Sequence, residues 1–111
     1  MNKVTILWTT EEKEVAMKVV LPYVFHGKAN GWWDEISLVI WGPSVRLVAT
    51  DPEVAAMVRD ILDSPIRVVA CKLCTDKYDV TDFYLNMGIG MEYVGAGFSS
   101  TLQSGEKVLT F

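Results

Sequence analysis

The chain carries one histidine, His26, and only two cysteines, Cys71 and Cys74, in 111 residues. A structural zinc site takes four ligands, usually Cys pairs or Cys with His, so one protomer cannot assemble one and no metal is expected. A Ser-His-Asp hydrolase of the nucleophile-elbow type needs Gly-x-Ser-x-Gly. Ser44 lacks that frame, and His26 falls in the first helical region. Two cysteines three positions apart cannot build the disulfide framework of a small secreted domain. Lys and Arg number 10 against 14 Asp and Glu, for a formal net charge of −4. That balance excludes a nucleic-acid partner, which demands clustered cations. The longest charge-free, strongly apolar stretch is Ile36 to Val45, about half of the ~20 residues a membrane span requires. Gly95-Ala96-Gly97 has Ser100 where a dinucleotide fingerprint needs glycine, and no Walker lysine follows. It reads as a tight strand-to-helix turn, and no cofactor is expected. The N-terminus runs from Lys3 through a short apolar segment to Glu11 and Glu12, a strand and a helix start without a secretory leader. These exclusions leave one domain over residues 1–111, soluble and cytoplasmic.

What is present is apolar bulk. Hydrophobic residues make up 50% of the chain, with 8 glycines, 4 Trp, 4 Phe, 4 Tyr and 5 Met; counted with Gly in place of Tyr the share is 54%, above the usual ~45–50%. A domain of this size buries about two-thirds of its unfolded surface. Some aromatics and Met are therefore expected in a subunit interface, where they are enriched, and a homo-oligomer is expected.

Val4 to Trp8 is an apolar, β-branched run, the pattern of a strand buried on both faces. Thr9 and Glu12 fit a capping box before a helical stripe at Val15, Ala16, Val19, Val20, Tyr23 and Val24. Pro22 interrupts that stripe and predicts a kink, with Gly27 and Gly31 ending the segment. Ile36 to Trp41 predicts a second strand closed by Gly42-Pro43. Asp51-Pro52 is a helix start, continued by Val54, Met57, Val58, Ile61 and Leu62 and broken at Pro65. Ile66 to Ala70 reads as a third strand, Val80 to Met87 as a helix stopped by Gly88, and Ile89 to Val94 as a fourth strand weakened by Gly90. Phe98 to Gln103 predicts a short helix and Lys107 to Phe111 a last strand. Alternating strands and helices imply right-handed βαβ units. The expected fold is an α/β three-layer sandwich, a mostly parallel sheet of about five strands with helices on both faces.

Ligands of such sheets bind outside the carboxyl ends of the strands. Those ends are Thr9-Thr10, Trp41-Gly42-Pro43-Ser44, Ala70-Cys71 and Gly95-Ala96-Gly97. Only one holds a strong nucleophile: Cys71-Lys72-Leu73-Cys74. A thiol at a strand end, facing a following helix, is placed for thiolate chemistry. Free cysteines are also among the most buried residues, simply as small hydrophobes. A thioredoxin-like site would put its Cys pair after an early strand, whereas this pair follows the third. A reactive thiol that exchanges sulfur needs only one accessible cysteine there. Trp8 and Trp41, at two strand ends, are candidate pocket walls or core residues.

Leu7-Trp8-Thr9-Thr10, Trp32-Trp33, Trp41-Gly42-Pro43-Ser44 and Ala70-Cys71-Lys72-Leu73-Cys74-Thr75-Asp76-Lys77-Tyr78-Asp79-Val80 together resemble the small DsrE/DsrF-like (YchN-like) family over nearly the whole chain. The resemblance implies a parallel sheet flanked by helices and a homotrimer or hexamer. Its sulfur-carrying members hold a persulfide on one cysteine, in a motif that ends in Gly followed by Val or Ile. Counting back from Val80 puts Cys71, not Cys74, on that position. Asp79 stands where the family has glycine, and Lys77-Tyr78 where the sulfur carriers have an Arg-rich turn. What the resemblance implies is sulfane-sulfur transfer through Cys71 between a donor and an acceptor protein. Cys74 would resolve the persulfide, and Ser44 and the N–H groups after Cys71 would steady the charge. Thr9, Thr10, Trp41, Gly42, Pro43, Ser44, Lys72 and Gly95 would surround the thiols. The other function open to the sequence is a non-enzymatic oligomeric module that binds a ligand or senses redox state.

Overall fold

The apolar runs become one five-stranded sheet in the computed structural model, which describes residues 1–111. The strands are β1 (Lys3–Trp8), β2 (Glu35–Ile40), β3 (Arg67–Cys71), β4 (Gly90–Glu92) and β5 (Lys107–Thr110). They lie in the order β4-β3-β2-β1-β5, and every neighbouring pair is parallel. Helices fill the connections: α1 (Lys13–Val15), a π-helical segment (Ala16–Val20) and α2 (Leu21–Ala29) before β2; α3 (Pro43–Thr50) and α4 (Pro52–Leu62) before β3; α5 (Lys72–Lys77) and α6 (Thr81–Met87) before β4; and α7 (Val94–Gln103) before β5.

The handedness of crossovers explains the layers. The steps β1 to β2, β2 to β3 and β3 to β4 all move the same way across the sheet, so right-handed connections put α1 through α6 on one face. The return from β4 to β5 runs the other way and puts α7 alone on the opposite face. The side-chain period of 2 sorts the residues accordingly. Val4, Ile6, Trp8, Ile36, Leu38, Ile40 and Ala70 join the helices of the major face in a core of 20 buried residues. Leu7, Val39, Val69 and Cys71 point to the minor face and meet Val94 of α7 in a second, five-residue cluster. This is the expected three-layer α/β sandwich, with unequal outer layers.

Several local expectations change. At Pro22, where the sequence predicts a kink, the helical run continues. Ala16–Val20 widens into a π-helix and α2 begins at Leu21 with Pro22 as its second residue, so the local widening falls next to the residue that has no N–H to donate. Gly27 is inside α2; a Cβ there would sit 3.0 Å from Ile36 Cδ1, so this glycine lets the helix approach β2. The segment ends at Gly31, with φ +68°. The Thr9 capping box does not form. Thr9 Oγ1 donates to the Phe111 carbonyl at 2.9 Å, and the helix begins behind Glu12 without a side-chain cap. Gly42-Pro43 closes β2 but also opens α3, with Gly42 at φ +75° and Pro43 in the first turn. The fourth strand shrinks to Gly90–Glu92, because Val94 starts α7 and Gly95-Ala96-Gly97 lies within that helix rather than in a turn. The Asp51 cap does form: its side chain accepts the N–H groups of Glu53 and Val54 at 3.0 and 3.2 Å.

No helix is long and apolar enough to cross a membrane. Of the four tryptophans, Trp8 is fully buried, Trp33 and Trp41 are partly covered, and Trp32 alone is largely exposed, at 55%.

Candidate functional site

The connection after β3 leaves toward the major face and the connection after β4 toward the minor face. Their divergence opens a crevice at the carboxyl ends of two adjacent strands, the usual binding position in open α/β sheets. Cys71 ends β3 at that crevice, paired in register with Glu92 of β4. Its side chain follows Val69 onto the minor face, in the cluster that also holds Leu7, Val39 and Val94, and is 3% exposed. Cys74, on the first turn of α5, is half-buried and packs against both cores. Both cysteines are free thiols. Burial pushes the Cys74 thiol up, and the neighbouring Cys71 thiol adds to this; the Gly42 N–H and Lys77 pull weakly the other way. Cys74 therefore holds its proton at neutral pH.

Trp41 and Phe98 complete the minor-face wall. Both pack on the cluster that contains Cys71, and their rings meet edge to face with centroids 5.7 Å apart. Beside them, between α7 and the open lower half of the sheet, runs a groove of about 200 Å³. Its inner wall is Val39, Val69, Val94 and Phe98, and it does not reach Cys71. Its rim carries the ion pairs Lys3–Glu35 at 3.5 Å and Arg67–Glu92 at 3.2 Å.

The other sequence-selected residues divide. Gly42 lies beside Cys74, as its influence on that thiol shows, and Pro43 follows it as the first residue of α3. Ser44 is fully buried, but its hydroxyl proton goes to the Trp8 carbonyl at 2.5 Å, with the Trp41 carbonyl at 3.2 Å. It staples β1 to the start of α3, and no proton is left for a thiolate. Lys72 is held by Asp76 at 2.6 Å, which raises its ammonium pKa, and Thr81 donates to the same carboxylate at 2.6 Å. Thr9 and Thr10 lie at the far side of β2 from Cys71. Both amides bond the Phe111 carbonyl beyond β5, at 2.7 and 3.3 Å. Gly95 is an exposed residue of α7. Trp8 is core, pointing to the major face, with Nε1 donating to the Thr10 carbonyl at 2.9 Å.

Sequence reading missed Val69 and Val94, which share the minor-face cluster with Cys71, and Phe98, which packs against it. Period 2 along β3 already puts Val69 with Cys71, and the four-residue spacing of Val94 and Phe98 would have put both on one helical face. It also missed Tyr84, which is fully buried and donates to the Val45 carbonyl at 2.8 Å, pinning α3 from below. Nowhere do three His, Cys, Asp or Glu side chains converge as a metal site would require.

No family model and no curated protein matches the chain. Solved structures do. BT1422, a conserved protein of unknown function from Bacteroides thetaiotaomicron, is 36% identical with a TM-score of 0.96, over 99% of this chain and 95% of that one. MTH1491, a protein of unknown function from Methanobacterium thermoautotrophicum, is 17% identical with a TM-score of 0.80, over 100% of both chains. The ychN protein of E. coli is 18% identical with a TM-score of 0.75, again over 100% of both.

Proposed function

Since the chain belongs to the DsrE/YchN-like family, we propose that it is a sulfur-relay protein that carries sulfane sulfur as a persulfide on Cys71. The reading rests on one observation above all: two reduced thiols lie together at the crevice where the connections of β3 and β4 part. The Cys71 thiolate attacks the terminal sulfur of a donor persulfide. A new S–S bond forms on Cys71, the donor S–S bond breaks, and the donor leaves as a thiol. An acceptor thiolate then takes the terminal sulfur in the same way and returns Cys71 to the thiol. Without an acceptor, Cys74 loses its proton to solvent and attacks Cys71 Sγ. The products are a Cys71–Cys74 disulfide and hydrosulfide, so that the two thiols are oxidised and the sulfane sulfur is reduced. The high pKa of Cys74 suits a resolving thiol, which must wait while Cys71 is loaded. This chemistry fits the cytoplasm, where thiols are kept reduced.

The proposal includes a homo-oligomer of trimer or hexamer type, supported by exposed Trp32, Leu85, Tyr93 and Leu102. Light scattering at micromolar concentration tests it, and a mass of 12.4 kDa would remove it. For the chemistry, the purified protein is incubated with inorganic polysulfide and its intact mass measured. Wild type should gain one sulfur and then release sulfide as the disulfide forms; Cys71→Ser should do neither. Disulfide formation by mild oxidants with no sulfur uptake would favour the redox-sensing alternative, which the same thiol pair could serve.

A further inference from the structure

Cys71 is 3% exposed and the adjacent groove stops short of it, so a reactant reaches the sulfur only if one wall gives way. The walls are unequal. α3 is pinned through the Ser44 and Tyr84 hydroxyls, and β3 is internal to the sheet. α7 is held by one buried residue, Val94, with Phe98 and Thr101 half-buried at the following helical positions; α4, nearly the same length, buries four. Within α7, Gly95, Gly97, Ser99, Ser100 and Thr101 all have poor helix propensity. Ser99 and Thr101 turn their hydroxyls back to the carbonyls of Gly95 and Gly97, at 2.7 and 3.1 Å, a bonding pattern that weakens helices. No side chain caps the helix start. The Trp41–Phe98 contact joins this helix to the end of β2.

We infer that α7 is a lid over Cys71, latched by Phe98 against Trp41, and that it admits reactants by local unfolding. Segments with few buried contacts and weak intrinsic helicity open at far lower free energy than the global fold. The lid gives the sulfur-relay reading, on which its biological sense rests, a means to shield a loaded persulfide from water. Its physical basis, the burial of Cys71, does not depend on sulfur chemistry.

The test is the rate at which iodoacetamide alkylates Cys71 in native Cys74→Ser protein. A Cβ at Gly95 would meet nothing within 4 Å and one at Gly97 only Glu92 Oε1 at 3.7 Å, so Gly95→Ala with Gly97→Ala stiffens α7 without a clash. This pair should slow alkylation about tenfold or more, and Phe98→Ala should speed it about tenfold. In the unmutated chain, α7 amides should exchange with solvent well before those of β1, β2 and β3. Unchanged alkylation rates in both variants, or α7 amides protected as strongly as the sheet, would overturn the lid. A lid that passes these tests in a protein that takes up no sulfur would leave the lid standing and remove the relay.

Discussion

Trp41 and Phe98 come from opposite sides of the chain's midpoint, one directly after β2 and the other in α7, and their rings meet at 76° with centroids 5.7 Å apart. An edge-to-face pair contributes about 0.5–1.5 kcal/mol beyond the area it buries. Trp41→Ala and Phe98→Ala should each destabilise the fold. A double-mutant cycle by urea denaturation should recover a coupling of about that size. Additive effects would mean that the rings only fill space.

Tyr84 should matter more than its distance in sequence from the cysteines suggests. Its buried hydroxyl bonds the Val45 carbonyl at 2.8 Å, and Tyr84→Phe, which leaves that carbonyl short of a donor, should cost about 1–2 kcal/mol. Burial also pushes the hydroxyl pKa well above that of an ordinary tyrosine, with Cys74 adding to the effect. The unfolded chain then gives up this proton first. The stability Tyr84 contributes is complete below about pH 10 and is lost as pH rises further. Denaturation midpoints across that range should fall less steeply in Tyr84→Phe than in wild type.

Asp79 holds φ at +58° directly after α5, the only non-glycine residue with positive φ. A side chain in the left-handed region is strained, and glycine is free of that strain. Asp79→Gly should stabilise the protein by about 0.5–1 kcal/mol, and Asp79→Val should destabilise it by more. Thermal unfolding of both variants checks this; a less stable glycine variant would contradict it.

Cys74 should behave as a sluggish thiol. Burial leads its upward shift and Cys71 comes second, so Cys71→Ser should relieve only part of it. Alkylation of Cys74 in that variant should be slow at pH 7 and climb into the alkaline range past where an exposed cysteine levels off. A rate at pH 7 equal to that of a short unfolded peptide would contradict the burial account.

How much of this was legible depends on how far apart in sequence the decisive partners lie. Asp51-Pro52 announced α4 because cap and helix are adjacent. The apolar runs announced the strands because alternation along one strand already separates Ile6 from Leu7. Pro43 misled, because proline ends one element and begins the next with equal ease, and only the packing of Val45 and Val48 shows that α3 forms. The Thr9 cap was lost to the Phe111 carbonyl, 102 positions away. Gly95-Ala96-Gly97 is helical against its propensity because Val94 and Phe98 anchor it to the minor face. For the candidate site, the cysteines, Trp41 and Gly42 were legible as strand ends. The commitment of Ser44 to Trp8 and the cover over Cys71 were not, since both depend on contacts between distant segments.

The sulfur-relay reading stands or falls on which sulfur atom is loaded. Brief exposure to polysulfide, trapping with iodoacetamide and peptide mass mapping would locate the added sulfur in wild type and in each cysteine variant. The expected result is an extra sulfur on Cys71, transient in wild type, longer-lived in Cys74→Ser and absent from Cys71→Ser. An extra sulfur on Cys74, or equal labelling of Cys71→Ser and wild type, would contradict it.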